Sequence, residues 1–354
     1  MNDPIDTQQA AASAVAAASG KPAPKRVPRP RFEPKLRTLK QILSSSAERA
    51  LNRKPSRGLT TGHYLLDRIT GGLKPDDVWL IGADTNVGKS CECVALADEN
   101  LIAGKRVLIV TSEDGEERYA MRLMCRRARC DAYRYRDHEL TETERRRVQA
   151  VADAALPVPV YLDARGVSVE ETAAQIFWIV REHGIELVEC DYLQAWRSEQ
   201  HFQDRTREVG TCARVLVDTM KRSGAAGVLF TQLTIEARTV KPNVHHVRDC
   251  KDPGQFSETA MFLYELEKGI SDKNGKLVAK AGDIAAHLDK VKDGERGKVV
   301  PLDFHAETVS FRRVDHPREI PVEAYDDPDP PDDYGIPTAL GPDIDAAHPG
   351  GWHD

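Results

Sequence analysis

The chain has 354 residues, of which 40% are hydrophobic and 30% charged, and a formal net charge of −6. That length and apolar content allow one substantial core rather than two equal domains. No stretch approaches the ~20 consecutive apolar residues a membrane span needs, and the Ala- and Pro-rich start lacks the apolar run of a secretory signal, so a cytoplasmic protein is expected.

Residues 1–36 are rich in Ala, Pro and Lys/Arg without hydrophobic periodicity, which predicts a disordered basic arm. In residues 37–57, Leu39, Ile42, Leu43, Ala47, Ala50 and Leu51 recur at helical spacing before a break at Pro55 and Gly58, giving a short amphipathic helix. Residues 58–313 form the main domain. Apolar runs at Val78–Ile81, Arg106–Val110, Val158–Leu162, Glu186–Cys190 and Val228–Thr231 read as strands. Helical patterns separate them, including Ser168–His183, which opens on the capping-box pattern Ser168-Val-Glu-Glu171. The fold class is therefore α/β, with a mostly parallel central sheet covered on both faces. Beyond Met261 a strand-rich C-terminal extension follows, with a turn at Asn274-Gly275 and strands at Lys298–Phe304 and Thr308–Arg312.

Residues 314–354 carry eleven acidic residues against the single Arg318 and read as a disordered acidic tail, leaving the rest of the chain mildly basic. Such a body permits nucleic-acid binding without requiring it. The cysteines at 91, 93, 125, 130, 190, 212 and 250 include no CxxC pair and are expected as reduced core thiols. His245, His246 and Cys250 lack a second ligand pair and are not read as a metal site.

The strongest local signal is Val78-Trp-Leu-Ile-Gly-Ala-Asp-Thr-Asn-Val-Gly-Lys-Ser90, a strand, then a loop, then the start of a helix. Ala83, Asp84, Thr85, Asn86, Val87, Gly88, Lys89, Ser90 and the adjoining Cys91 are the candidate nucleotide-binding residues. A phosphate-binding loop needs small residues so that backbone N–H groups can face phosphate, a Lys for the β/γ-phosphates and a hydroxyl for Mg²⁺. The expected ligands are ATP and Mg²⁺. Ala83 stands where the pattern has its first Gly, although Gly82 adjoins it. Two strands end in carboxylates: Arg106-Val-Leu-Ile-Val-Thr-Ser-Glu113 and Glu186-Leu-Val-Glu-Cys-Asp191. In a parallel sheet both ends lie beside the phosphate loop. Asp191 with Ser90 is the candidate metal pair, and Glu113 is the candidate base for an attacking water. Val228-Leu-Phe-Thr-Gln232 puts Gln232 at a further strand end, suited to sensing the γ-phosphate.

Thr61-Gly-His-Tyr-Leu-Leu-Asp-Arg-Ile-Thr-Gly-Gly-Leu73, the phosphate loop, Ser112-Glu113 with Met121-Arg-Leu123, Asp191-Tyr-Leu-Gln194, Arg205-Thr-Arg-Glu-Val209 with Arg214, Thr231-Gln-Leu233 and Phe262-Leu-Tyr264 follow one another in order. In this the chain resembles the DnaB-like replicative DNA helicases of superfamily 4 over roughly residues 37–313. The resemblance implies a RecA-like P-loop core, with Lys89, Ser90, Glu113, Asp191 and Gln232 as its nucleotide site. It further implies ATP-driven 5′–3′ translocation on single-stranded DNA and duplex unwinding by a homo-oligomeric ring, a hexamer. Two other readings share the site: a RecA-like recombination or remodelling ATPase that does not unwind, and a nucleotide-dependent ring adaptor with little turnover.

The family's trans-acting finger lies in a Lys-x-Arg-x-Gly pattern, and here the segment is Lys290-Val-Lys-Asp-Gly-Glu-Arg-Gly297. Lys290 matches, Lys292 occupies the finger position and Arg296 is the alternative guanidinium. The resemblance also places Arg248 and Lys251 of Lys241-Pro-Asn-Val-His-His-Val-Arg-Asp249 and its continuation toward DNA phosphate, with Arg197 a weaker candidate. The helix in 37–57 resembles the linker helix that docks on an adjacent subunit. The family's N-terminal collar is not seen, which fits a compact, virus-encoded form working in an infected host cell. The acidic tail ends in Gly351-Trp-His-Asp354 and is a candidate docking segment for a replication partner.

Overall fold

The computed structural model describes residues 58–311 except 155, 239, 251–252, 272–276 and 293, together with positions 38–40, 43–44, 47 and 51 of a separate unit that ends at Ser56. The basic arm, the acidic tail, the Asn274-Gly275 turn and Lys251 fall outside the described residues. In the N-terminal unit, positions 39, 40, 43, 44, 47 and 51 are helical, and Leu39, Leu43 and Leu51 are exposed.

The main unit opens with helix α1 (Tyr64–Thr70) and is built on an eight-stranded sheet. Its strands are β1 (Val78–Ala83), β2 (Val107–Thr111), β3 (Val160–Asp163), β4 (Leu187–Asp191), β5 (Ala226–Gln232), β6 (Thr259–Glu265), β9 (Ile284–Val291) and β10 (Lys298–Pro301), in the order β10-β9-β6-β1-β5-β4-β2-β3. From β6 to β3 every pairing is parallel, while β9 and β10 add antiparallel strands at one edge. β1, β2 and β4 are buried along their whole length, as parallel strands covered on both faces must be.

The two-residue alternation divides the core. Trp79, Ile81 and Ala83 face one apolar layer with Leu187, Val228 and helix α2 (Lys89–Ile102). Val78, Leu80, Val188 and Leu229 face the other, with helices α6 (Val169–His183) and α7 (Arg205–Ser223). Between β2 and β3 run α3 (Glu116–Ala128), α4 (Ala132–Arg136) and α5 (Glu142–Asp153). Short strand pairs complete the extension: β7 (Ile270–Ser271) with β8 (Leu277–Ala279), and β11 (Phe304–His305) with β12 (Ser310–Phe311). All seven cysteines are buried free thiols.

Three local details differ from the sequence reading. The strand expected from Val158 begins at Val160, because Pro157 and Pro159 have no N–H to give to a ladder. Ser168 accepts a hydrogen bond from the Glu171 N–H, but the Glu171 carboxylate faces Gln175 Nε2 at 3.5 Å, so that cap is one-sided. A reciprocal capping box starts α5, at Thr141 and Glu144. The run from Lys298 stops at Pro301, and the chain re-pairs only at Phe304.

One core residue breaks the pattern. Glu189, in the middle of β4, is fully buried between Ile109 of β2 and Val228 of β5. The Cys93 thiol lies beside it, but neither carboxyl oxygen has a hydrogen bond of ordinary geometry. Burial pushes its pKa well above the ordinary carboxylate range, with the charges of Glu92 and Asp191 adding to the rise. The folded chain therefore holds the proton to a higher pH than the unfolded chain, which releases it above about pH 4.3. A folded pKa raised in this way makes the residue lower stability progressively as pH rises above that unfolded value. Glu189→Leu is expected to raise stability, on the scale of about 1–3 kcal/mol for one buried unsatisfied group. The gain should be larger at pH 8 than at pH 5 in thermal melts. Equal gains at both values would show that Glu189 does not titrate in this way.

Candidate functional site

The parallel strands deliver their C-terminal ends to one edge of the sheet. Ala83 pairs with Gln232 and Thr111 with Asp191, so β1 ends level with β5 and β2 with β4, the first pair reaching two residues farther. The loop from Asp84 to Gly88 leaves β1 here and turns into α2. Asn86 and Gly88 both have positive φ, 68° and 99°. A Cβ on Gly88 would come within 3.0 Å of the Phe311 ring, so this position has neither the backbone freedom nor the space for another residue. No side chain caps α2, and its first N–H groups face the loop, the arrangement that receives an anion at a helix N-terminus.

Lys89 and Ser90 meet Asp191 at this edge. The Lys89 ammonium, in a residue 8% exposed, donates to Asp191 Oδ1 and lies 4.6 Å from the centre of the Tyr192 ring. Ser90 Oγ donates to Asp191 Oδ2 at 3.2 Å. A buried ammonium beside a hydroxyl and a carboxylate suits a phosphate–metal complex: the cation meets phosphate oxygen, and the two hard oxygens suit Mg²⁺. Cys91 faces inward, and burial pushes its thiol up to about 11.

Glu113 stands two residues beyond β2, exposed, its N–H bonded to Thr111 Oγ1 at 3.3 Å. Burial of part of the side chain raises its pKa above the usual carboxylate value. Asp191 and Asp114 push the same way, while Lys89 and Arg122 oppose them. The next residue, Asp114, is held by Arg122 at 2.6 Å and Arg118 at 3.0 Å, which fixes the turn that carries Glu113. Gln232, partly buried, closes the edge from β5.

Arg238 joins the site without any sequence signal. Its guanidinium binds Asp84 in the phosphate loop, from a short 3₁₀ turn that follows β5. The partners are 154 positions apart in the chain, and nothing local in the sequence marks them. Thr85 donates to the same carboxylate at 2.7 Å.

The other candidates lie elsewhere. Lys290 pairs across the sheet with Ala260, at the N-terminal end of β6, and Lys292 approaches Asp77 and Glu258 at 3.9 Å. Asp77 precedes β1, so these lysines occupy the edge opposite the protomer's own phosphate loop. Lys290 donates to Gly254 O at 2.6 Å and Ser257 O at 2.5 Å, and burial lowers its pKa. Lys292 and Arg296 are exposed. Arg248 is exposed near the C-terminal edge, 3.6 Å from Asp249, and Arg197 is exposed after β4. Their charges both act on the Tyr192 hydroxyl. His246 Nδ1 accepts from the Asn243 N–H, and Cys250 is buried. Among the described residues no helix is long and apolar enough to cross a membrane.

Known proteins resemble this chain in sequence and fold. The family profile of the DnaB-like helicase C-terminal domain matches residues 58–313. The chain is 28% identical over 277 residues to the replicative DNA helicase DnaB of Haemophilus influenzae, covering 74% of this chain and 56% of that protein. It is 27% identical over 239 residues to the replicative DNA helicase DnaC of Bacillus subtilis, covering 64% and 52%. The chain thus spans about half the length of the curated relatives it matches. Among solved structures, one of an ATPase domain superposes with a TM-score of 0.68 at 20% identity, over 78% of this chain and 99% of that one. A DnaB-like replicative helicase, studied with its interactions with primase, gives 0.66 at 19% identity, over 80% and 68%. These likenesses show a RecA-like fold.

Two substitutions test the expectation that this edge binds and hydrolyses ATP. Lys89→Ala removes the buried cation facing the anion site and should reduce nucleotide hydrolysis by about 10²-fold or more. Glu113→Gln should leave binding of a fluorescent ATP analogue nearly unchanged while stopping turnover. Near-normal turnover in Glu113→Gln would remove Glu113 from the role of base.

Proposed function

The chain belongs to the DnaB-like helicase C-terminal domain family, and on that premise we propose that it is an ATP-driven motor that moves 5′–3′ on single-stranded DNA and unwinds duplex as a hexameric ring. The observation that carries this reading is the division of the site across the molecule. The phosphate loop, Asp191, Glu113 and Gln232 lie at one edge of the sheet, while Lys290 and Lys292 lie at the other, with Arg296 in the turn that follows them. No protomer can bring its own Lys292 to its own phosphates without dismantling the sheet. A neighbouring copy can.

In the proposed cycle, Lys89 exchanges the Asp191 carboxylate for the β/γ-phosphate oxygens of ATP. Ser90 Oγ and Asp191 would hold Mg²⁺, which would supply positive charge against the charge that develops on the phosphates. Glu113, with its raised pKa, accepts the proton of the water that attacks the γ-phosphorus, and ADP departs with the β-phosphate oxygen. Gln232 offers an uncharged amide to the γ-phosphate. Lys292 of the adjacent copy supplies positive charge but, as an ammonium, lacks the bidentate fork of arginine. Arg248, Arg197 and Lys251 contact DNA phosphates without reading sequence. The helix in 37–57 docks on the adjacent subunit through Leu39, Leu43 and Leu51, and the segment 314–354 engages a replication partner.

DNA-stimulated ATPase together with unwinding of a forked duplex tests the reading. Stimulated hydrolysis without unwinding would identify a remodelling ATPase, and nucleotide binding without turnover would identify a ring adaptor. Mixing Lys292→Ala subunits into wild type should lower activity more steeply than the mutant fraction, because each lost cation disables a neighbour's site. Lys292→Arg should preserve or raise activity. A strictly linear decline with mutant fraction would exclude a shared site at Lys292.

A further inference from the structure

Gln194 has no task in the scheme above, yet its side-chain amide is bonded at both ends beside the site. It lies three residues beyond Asp191 in the 3₁₀ turn Leu193–Ala195, and it is 8% exposed. Its Oε1 accepts from the backbone N–H of Gln232 at 3.0 Å. Its Nε2 donates to Thr231 Oγ1 at 2.8 Å and to the backbone carbonyl of Arg248 at 2.7 Å, with the Gln232 carbonyl at 3.4 Å. The Arg248 N–H in turn donates to the Gln232 carbonyl at 2.9 Å. One buried amide therefore joins three segments: the end of β4 that carries Asp191, the end of β5 that carries Gln232, and the strand-like return at 246–248 that carries Arg248.

The surrounding bonds tie the return to β5 and β9. Leu233 and Val247 form an isolated bridge, and the Thr234 N–H donates to the His246 carbonyl at 2.8 Å. Further out, His287 Nδ1 meets the Pro242 carbonyl at 2.7 Å and the Val244 N–H donates to Asp289 Oδ2 at 2.9 Å, both on β9. Of these contacts, the Gln194 amide alone also belongs to the Asp191 segment. A shift of Asp191 from Lys89 toward bound metal, or of Gln232 toward phosphate, has to be accommodated by this amide.

We propose that Gln194 is a positioning residue that couples the nucleotide site to the Arg248 segment, so that nucleotide state sets the geometry in which Arg248 is presented to DNA. The proposal rests on the DNA-motor reading above and deepens it. The chemistry requires an amide, because the position must accept from an N–H and donate to a carbonyl at the same time. A carboxylate in its place would accept from Gln232 but stand against the Arg248 carbonyl. A methionine would keep the volume and lose both bonds.

The test compares wild type with Gln194→Met and Gln194→Glu in the full chain. Both variants are expected to bind a non-hydrolysable ATP analogue within about twofold of wild type and to keep basal ATPase, since Gln194 touches no reacting atom. The change in single-strand affinity caused by the analogue is expected to shrink by about tenfold or more, and DNA stimulation of hydrolysis to fall with it, because coupling between two binding sites is reciprocal. A side chain that only supports the fold would lower the melting temperature and leave that ratio alone. If either variant fails to fold, hydrogen exchange on the wild type decides: the analogue, added without DNA, should slow exchange of the Arg248 and Gln232 amides together. A wild-type coupling ratio in the variants, or no slowing at Arg248 in wild type, overturns the proposal. Absence of any DNA stimulation in wild type would overturn the motor reading instead, and the exchange measurement without DNA separates the two failures.

Discussion

The buried contact between Lys89 and Asp191 sets the geometry of everything around it. An ammonium placed where water barely reaches requires an opposite charge, because an unpaired buried ion costs several kcal/mol. In this chain the partner comes from the neighbouring half of the sheet, from β4, while Lys89 opens the helix that follows β1. The pair thereby fixes the relation of two strands separated by β5. Phe304 and Phe311 of the C-terminal strands pack against Gly88, and the Arg126 guanidinium, bonded to Asp98 and Glu99 of α2, also donates to the Phe311 carbonyl. The loop is thus braced by packing and by charge that do not involve Asp191.

The two edges of the sheet are chemically distinct, and β9 connects them. At the C-terminal edge of the parallel strands lie the acids and the anion loop. At the other edge, Lys221, Lys290 and Lys292 surround Glu258, whose carboxylate also accepts from the Val78 N–H at 2.9 Å. Along β9, His287 and Asp289 hold the 242–244 loop while Lys290 holds the carbonyls of 254 and 257. At the lysine edge Asp77 also lies 3.9 Å from Lys292, so the lysines there are matched by carboxylates of the same chain.

How much of this is legible in the sequence depends on whether each feature is local. The strand, loop and helix around Lys89 are consecutive, and the carboxylates at Glu113 and Asp191 sit at the ends of apolar runs whose parallel arrangement follows from alternation with helices. Those parts of the site can be read directly. The Asp84–Arg238 pair and the bonds of Gln194 join residues 154 and up to 54 positions apart, and no spacing rule reports such contacts. Glu189 reads as one more residue of a buried strand, since the apolar neighbours that define the strand also hide the cost of an acid within it. The capping box at Thr141 has the same form, a hydroxyl residue followed three positions later by Glu, as the Ser168 pattern, but it opens a charged helix without the apolar run that draws the eye.

The coupling proposed for Gln194 would run through backbone groups. In the proposed cycle the Gln232 and Arg248 side chains act on ligand, while their backbones are held by a different residue. The connections therefore run through peptide groups: Gln194 holds the N–H of Gln232 and the carbonyl of Arg248, leaving both of those side chains available for ligand. Lys290 likewise binds two carbonyls, while Lys292, two residues on, keeps an exposed ammonium with carboxylates only at 3.9 Å. In each case one buried or half-buried polar side chain bonds backbone groups and leaves a neighbouring side chain outside that contact, which in the proposed cycle lets a rigid sheet present several charges to two ligands.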